Sequence, residues 1–172
     1  MSKTVTYNEM DWDEIVKNVD LNRLDLFGRS IEGEARYQSS CQNIREKYGS
    51  VSRYIYDVKL LPLRQEIELL GKDVLMEKTS INQTCSLTRP RVLFVENDFS
   101  YYTKPLIKHH LIWSLEEWND TLAIQAFLEQ KLPNCRIIFF INPMHLRSVK
   151  DIFHIHVFSQ LVTIPNATDS LE

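Results

Sequence analysis

One stretch, Arg136 to Phe158 (RIIFFINPMHLRSVKDIFHIHVF), constrains the fold more than any other. It reads as a strand, a polar turn region and a second strand that carries histidines at i and i+2. Successive side chains on a strand point to opposite faces, so His154, His156 and Phe158 share one face. Phe153, Ile155 and Val157 take the other, which is apolar enough to be core. A strand that buries one face and sets two imidazoles on the second belongs to a layered sheet protein. Three readings of those imidazoles stand side by side: a nucleotide-type site, a metal site, or histidines that only pack and hydrogen-bond.

The strand needs partners, and the chain supplies them nearby. Arg91 to Glu96 and His109 to Ser114 carry strand patterns, joined through the turn-forming pair Asn97-Asp98 and a tyrosine-rich segment. A helix follows, beginning at Ser114 or Asp120 and running to about Leu132, with Ile124, Phe127, Leu128 and Leu132 on one face. Pro133-Asn134 ends it before the strand Arg136 to Ile141. After Phe158 a short apolar run, Leu161 to Ile164, precedes a polar tail. Strand, strand, helix, strand, strand predicts an α+β fold with a mainly antiparallel sheet.

The N-terminal part reads as helical. Residues 9–20 place Trp12, Ile15, Val16 and Val19 at helical spacing. Gly33 to Tyr48 predicts a second helix, ended by Gly49, and Ser50 caps a third from Val51 to Leu60. In that third helix Tyr54, Ile55 and Val58 are expected to face inward, and Pro62 to break it. Residues 61–88 read as a connector with one further helical pattern (Ile67, Leu70, Val74, Leu75) and a polar tract, Thr79 to Ser86. We expect residues 1–172 to form one domain: a helical part over about 9–60, the connector, and a sheet-bearing part over about 89–164.

Composition narrows the function classes. The 172 residues are 44% hydrophobic and 25% charged with a net charge of −3, so no global charge draws the chain to nucleic acid or anionic lipid. No run approaches the roughly 20 apolar residues of a membrane span. The first residues hold no apolar signal core and are too acidic for a transit peptide. Cys41, Cys85 and Cys135 are odd in number and far apart, which fits a reducing cytoplasm, or the nucleus, better than a disulfide framework. Asn166-Ala167-Thr168 matches a glycosylation sequon by chance in such a setting.

All five histidines lie between 109 and 156. The H-φ-H-φ strand resembles the histidine triad (HIT) proteins, nucleotide hydrolases and transferases whose middle histidine attacks the α-phosphorus. By that resemblance His156 is the nucleophile and His154 the first histidine. Asn142 and Ser148-Val149 stand where those proteins carry Asn and Ser-Val. His109 or His110 matches the histidine that opens their earlier strand. Phe158 stands where a third histidine would donate to phosphate, and phenylalanine has no such donor. Arg89, Arg91, Lys108 and Arg147 would serve a phosphate if they converge.

For the metal reading, His154 and His156 lie about 6–7 Å apart at Cα, a spacing many zinc and iron sites use. A third ligand would come from His109, His110, Glu96 or Asp98. No cofactor is expected on other grounds.

The whole chain also resembles a family of uncharacterised proteins named for the fungal N-acetylglucosamine-induced protein. The matching residues run nearly end to end: Arg29-Ser30, Tyr37 and the Tyr48-Gly49-Ser50 turn, Asn97-Asp98-Phe99 with Tyr101, then His110 with Trp113-Ser114. Asn142, Arg147-Ser148 and His154-x-His156-Val157 complete them. Ser100 replaces the proline of the family's ND-x-P-Y element. The resemblance implies an intracellular protein linked to aminosugar response, with no established reaction. Together the readings predict a pocket with His156, His154 and His110 as the reactive groups. Asn97, Asp98, Asn142, Arg147 and Ser148 are its expected ligand contacts, for a nucleotide or sugar nucleotide. A metal-dependent enzyme and a non-catalytic adaptor with structural histidines are the alternatives.

Overall fold

The computed structural model describes residues 7–77 and 90–162. Helix α1 (Trp12–Asp20) opens on a reciprocal cap: Asp11 accepts from the Glu14 backbone N–H and Glu14 accepts from that of Asp11, both at 3.0 Å. Helix α2 (Ile31–Tyr48) starts two residues earlier than its apolar stripe predicts. Ser30 caps it by accepting from the Gly33 N–H, so the first turn forms without an apolar contact. Gly49 ends α2 at φ 83°, the left-handed region that a Cβ disfavours.

Ser50 then caps α3 (Val51–Tyr54), which runs into a wider π-helical turn, Ile55–Lys59. The extra residue in that turn rotates Val58 out to solvent, against expectation, while Ile55 stays buried. The helical run from Val51 ends at Lys59, ahead of Pro62 as expected, and Pro62 itself lies in the first turn of α4 (Leu61–Glu77). A first-turn N–H has no intrahelical acceptor, so proline costs nothing there. Leu63, one residue on, is buried beneath the sheet-facing helices. The side chains at 70, 74 and 75, the tract at 79–86 and the sequon at 166–168 lie outside the described residues.

Four strands form one sheet: β1 (Val92–Glu96), β2 (Ile107–Ser114), β3 (Cys135–Phe140) and β4 (Phe153–Leu161). Their order is β1-β2-β4-β3 and every pairing is antiparallel. The α+β expectation therefore holds. Ser114 remains in β2, and helix α5 (Thr121–Lys131) starts from Asp120, which accepts from the Ala123 N–H.

The two faces of the sheet are covered by different layers. On one, Ile112, Phe153, Ile155 and Val157 pack against Ile124, Phe127 and Leu128 of α5. Full burial of such a side chain stabilises by about 1.5–3 kcal/mol. On the other face Phe158, Phe140 and Ile107 meet Trp12, Ile15 and Phe27, while Leu111 and Trp113 meet Ile55, Leu60 and Leu63. Among the described residues, no helix is long and apolar enough to cross a membrane.

Candidate functional site

Register decides which histidines meet. Opposed residues in an antiparallel pair share a face, and β2 pairs with β4 as His109↔Phe158, Leu111↔His156 and Trp113↔His154. His109, His154 and His156 therefore occupy one face, the one covered by α1 to α4. His110 lies on the opposite face, where it stacks on Phe94 and its Nε2 is 3.0 Å from Ser159 Oγ. Its expected place beside His154 and His156 belongs to His109.

The protons on this face can be assigned from one unambiguous donor. The backbone N–H of Tyr101 donates to His109 Nδ1 at 3.0 Å, so His109 carries its proton on Nε2. That nitrogen lies 3.0 Å from His156 Nδ1 and donates to it, which leaves His156 protonated on Nε2. His156 Nε2 lies 3.1 Å from the Asn142 amide. With Asn142 Nδ2 on this side two donors would face each other, and Oδ1 is buried without a partner. A half-turn about χ2 exchanges the two groups. Asn142 Oδ1 then accepts from His156 and, across 3.0 Å, from the Tyr101 hydroxyl. Nδ2 becomes the buried amide group with no partner among the described residues.

His154 is set differently. Its Nδ1 lies 2.9 Å from the Ile152 carbonyl, which only accepts, so the proton is on Nδ1 and Nε2 keeps its lone pair. No described residue hydrogen-bonds to that Nε2. Its ring tilts against Trp113 with centroids 4.7 Å apart.

Burial keeps these rings neutral. Desolvation lowers His109 from the ordinary imidazole value to about 3, aided by the positive charge of Arg29. Burial also pushes His156 well down, with His109 next in effect, and lowers His154 against the Ile152 carbonyl bond. The Tyr101 phenol is raised by the same desolvation.

A cavity of about 110 Å³ lies between this sheet face and the α2–α3 layer. Tyr37, Cys41 and Tyr54 line it from the helices and Trp113, His154 and His156 from the sheet. Asn97, Asp98, Asn142 and Ser148, all expected at a site, line it from loops. Asn97 also holds its own turn, accepting from the Phe99 N–H at 3.0 Å. Asp98 pairs with Lys59 Nζ at 2.9 Å, and that bond raises the lysine pKa. Arg147 stands behind the wall, its Nε donating to the Asn142 carbonyl at 2.7 Å. His109, named in sequence only as an alternative to His110, takes the place on this face, and Tyr101, Tyr37 and Arg29 join the wall although the expected site did not include them. For Tyr101, Tyr37 and Arg29 the available signal was the tyrosine-rich and Arg-Ser elements of the family resemblance. Among the described residues, no group of three His, Cys, Asp or Glu side chains converges as a metal-ligand set.

Comparison with known proteins gives relatives and a fold. N-acetylglucosamine-induced protein 1 of Candida albicans is 26% identical over 178 residues, 91% of this chain and 70% of that protein. The crystal structure of HTC1 superposes with a TM-score of 0.53 at 17% identity, over 88% of this chain and 85% of that one, a likeness of fold alone. Residues 11–160 match the family described as protein of unknown function (DUF3605), and the chain belongs to that family.

Proposed function

We propose that the protein binds a neutral, hydroxyl-bearing group, the sugar end of a sugar nucleotide, in the cavity between the sheet and α2–α3. The observation that carries this reading is the unpaired lone pair of His154 Nε2 on the cavity wall. It supplies an acceptor there, and a ligand hydroxyl donates to it. The rings are neutral, so the cavity floor suits a hydroxyl better than a phosphate dianion.

Size supports the same choice. Pockets for drug-sized ligands run to about 300–1,000 Å³, and 110 Å³ encloses only a fragment of that scale. A nucleotidyl transfer through His156 draws no support from a ring whose two nitrogens are both engaged. The free thiols of Cys41 and Cys135 fit the cytoplasm or nucleus as its compartment.

Isothermal titration against N-acetylglucosamine, UDP-N-acetylglucosamine and UDP tests the reading. The first ligand is chosen from the name of the Candida albicans relative. The two sugar-bearing ligands should bind, and His154→Ala should weaken them about tenfold or more. His110→Ala, on the far face, should not. Equal affinity in His154→Ala, or no heat from either sugar ligand, rules the proposal out.

A further inference from the structure

A second cavity, of about 440 Å³, adjoins the first, and the two share Arg29, Tyr101, Asn142 and Ser148 in their walls. Arg29 stands at that boundary as a held guanidinium. Its Nε donates to the Phe99 carbonyl at 3.1 Å and its Nη1 to Glu34 at 3.0 Å. Its charged face lies 3.7 Å from the Tyr37 ring centroid and 5.9 Å from that of Tyr101. Those two bonds use two of the five N–H donors, and no described residue takes the others. A guanidinium fixed in position with donors to spare is suited to phosphate oxygens, which it meets as a fork.

The outer cavity differs from the inner one in chemistry. Tyr7 lines it with its ring packed on Gly28, where an added Cβ would have no room. Asp25, and Glu34 already paired with Arg29, add carboxylate acceptors, the group that pairs with ribose hydroxyls. Aromatic wall, carboxylate and a bridging arginine together suit the nucleoside diphosphate part of the ligand.

We infer that the two cavities form one site, in which Arg29 grips the diphosphate of a sugar nucleotide that leaves its sugar against His154 and its nucleoside in the outer cavity. This rests on the sugar-binding reading of the inner cavity. It adds that most of the affinity comes from the diphosphate at Arg29. Together the two volumes fall in the roughly 300–1,000 Å³ range that holds a whole small ligand.

The test is the ratio of dissociation constants for N-acetylglucosamine and UDP-N-acetylglucosamine, measured calorimetrically in wild type, Arg29→Gln and Leu146→Trp. Leu146 lines the outer cavity, and tryptophan would fill it. UDP-N-acetylglucosamine should bind at least about tenfold tighter than the free sugar in wild type, and the ratio should fall to about threefold or less in both variants. Where thermal melts show that Arg29→Gln does not fold, Leu146→Trp alone decides. A wild-type ratio near one, or an undiminished ratio in Leu146→Trp, overturns the inference and leaves the sugar site standing. No binding of either ligand overturns both.

Discussion

Four polar groups in a row, Tyr101 N–H, His109, His156 and Asn142, are satisfied in one direction only. Each ring passes its proton to the next acceptor, so removing a middle member orphans the groups on either side. His156→Leu keeps the bulk, yet leaves His109 Nε2–H and Asn142 Oδ1 short of a partner. We expect it to cost about 1–3 kcal/mol in urea unfolding; a loss below about 0.5 kcal/mol would show that the row is not continuous. The same rings set a pH dependence. A histidine held near 3 in the fold and about 6.5 when unfolded binds more protons in the unfolded chain across that interval. Stability is therefore complete above about pH 6.5 and falls on acidification, by about 1.4 kcal/mol per pH unit for each neutral buried ring. His154 and His156 shift in the same direction and steepen the fall. Melting temperature should drop from pH 7 to pH 5, before the carboxylates titrate, and a flat profile there would contradict the assignment. The sharing of a face by His154, His156 and Phe158 was legible from spacing alone, since alternation along one strand is fixed. Whether His109 or His110 joins them was not, because a one-residue change of register swaps the faces.

Elements were most legible where a local group ends them. Gly49 marks the end of α2 and Ser50 the start of α3, because each satisfies backbone groups its neighbours cannot. Gly49 sits at φ 83° with nothing within 4 Å of an added Cβ, so Gly49→Ala isolates the backbone cost. That substitution should destabilise by about 1 kcal/mol in chemical denaturation; a neutral result would mean that the turn relaxes to another conformation. Pro62 marked the end of one helix but hid the start of the next, for a physical reason. A proline looks the same in sequence whether it ends one helix or occupies the first turn of the next, and only the tertiary placement of Leu60 and Leu63 separates the two. The π turn at Ile55–Lys59 was similarly hidden, since its extra residue answers to packing and leaves no mark in propensity. Arg29 stands out in sequence only through the family resemblance, because a lone arginine is usually solvated. Its role depends on Phe99 and Tyr37, 70 and 8 residues away in sequence, arriving on either side.

At the scale of the molecule, the sheet divides the protein into two unlike halves. Its α5 face is packed with branched aliphatic and aromatic side chains, apart from an open cavity at its β1 edge beside Phe94 and Phe127. Its other face carries the histidine row, and there the helical layer stands off far enough to leave the cavities. A ligand that occupies them touches α2, α3 and the loop from Asn97 to Tyr101, and touches nothing on α5. Binding also adds stability that grows with ligand concentration as RT ln(1 + [L]/Kd), so an excess of about a hundredfold over Kd contributes about 2.7 kcal/mol. Hydrogen exchange reads where that stability is felt, because backbone amides near the ligand lose their local openings while distant ones exchange through routes the ligand does not block. With saturating UDP-N-acetylglucosamine, peptides from α2, α3 and residues 97–101 should slow and peptides from α5 should not. Slowing of equal size on both faces would mean that the ligand acts through the global unfolding equilibrium alone. Slowing confined to α5 would move the site to the opposite side of the sheet, beside His110, and remove the histidine row from the account of binding.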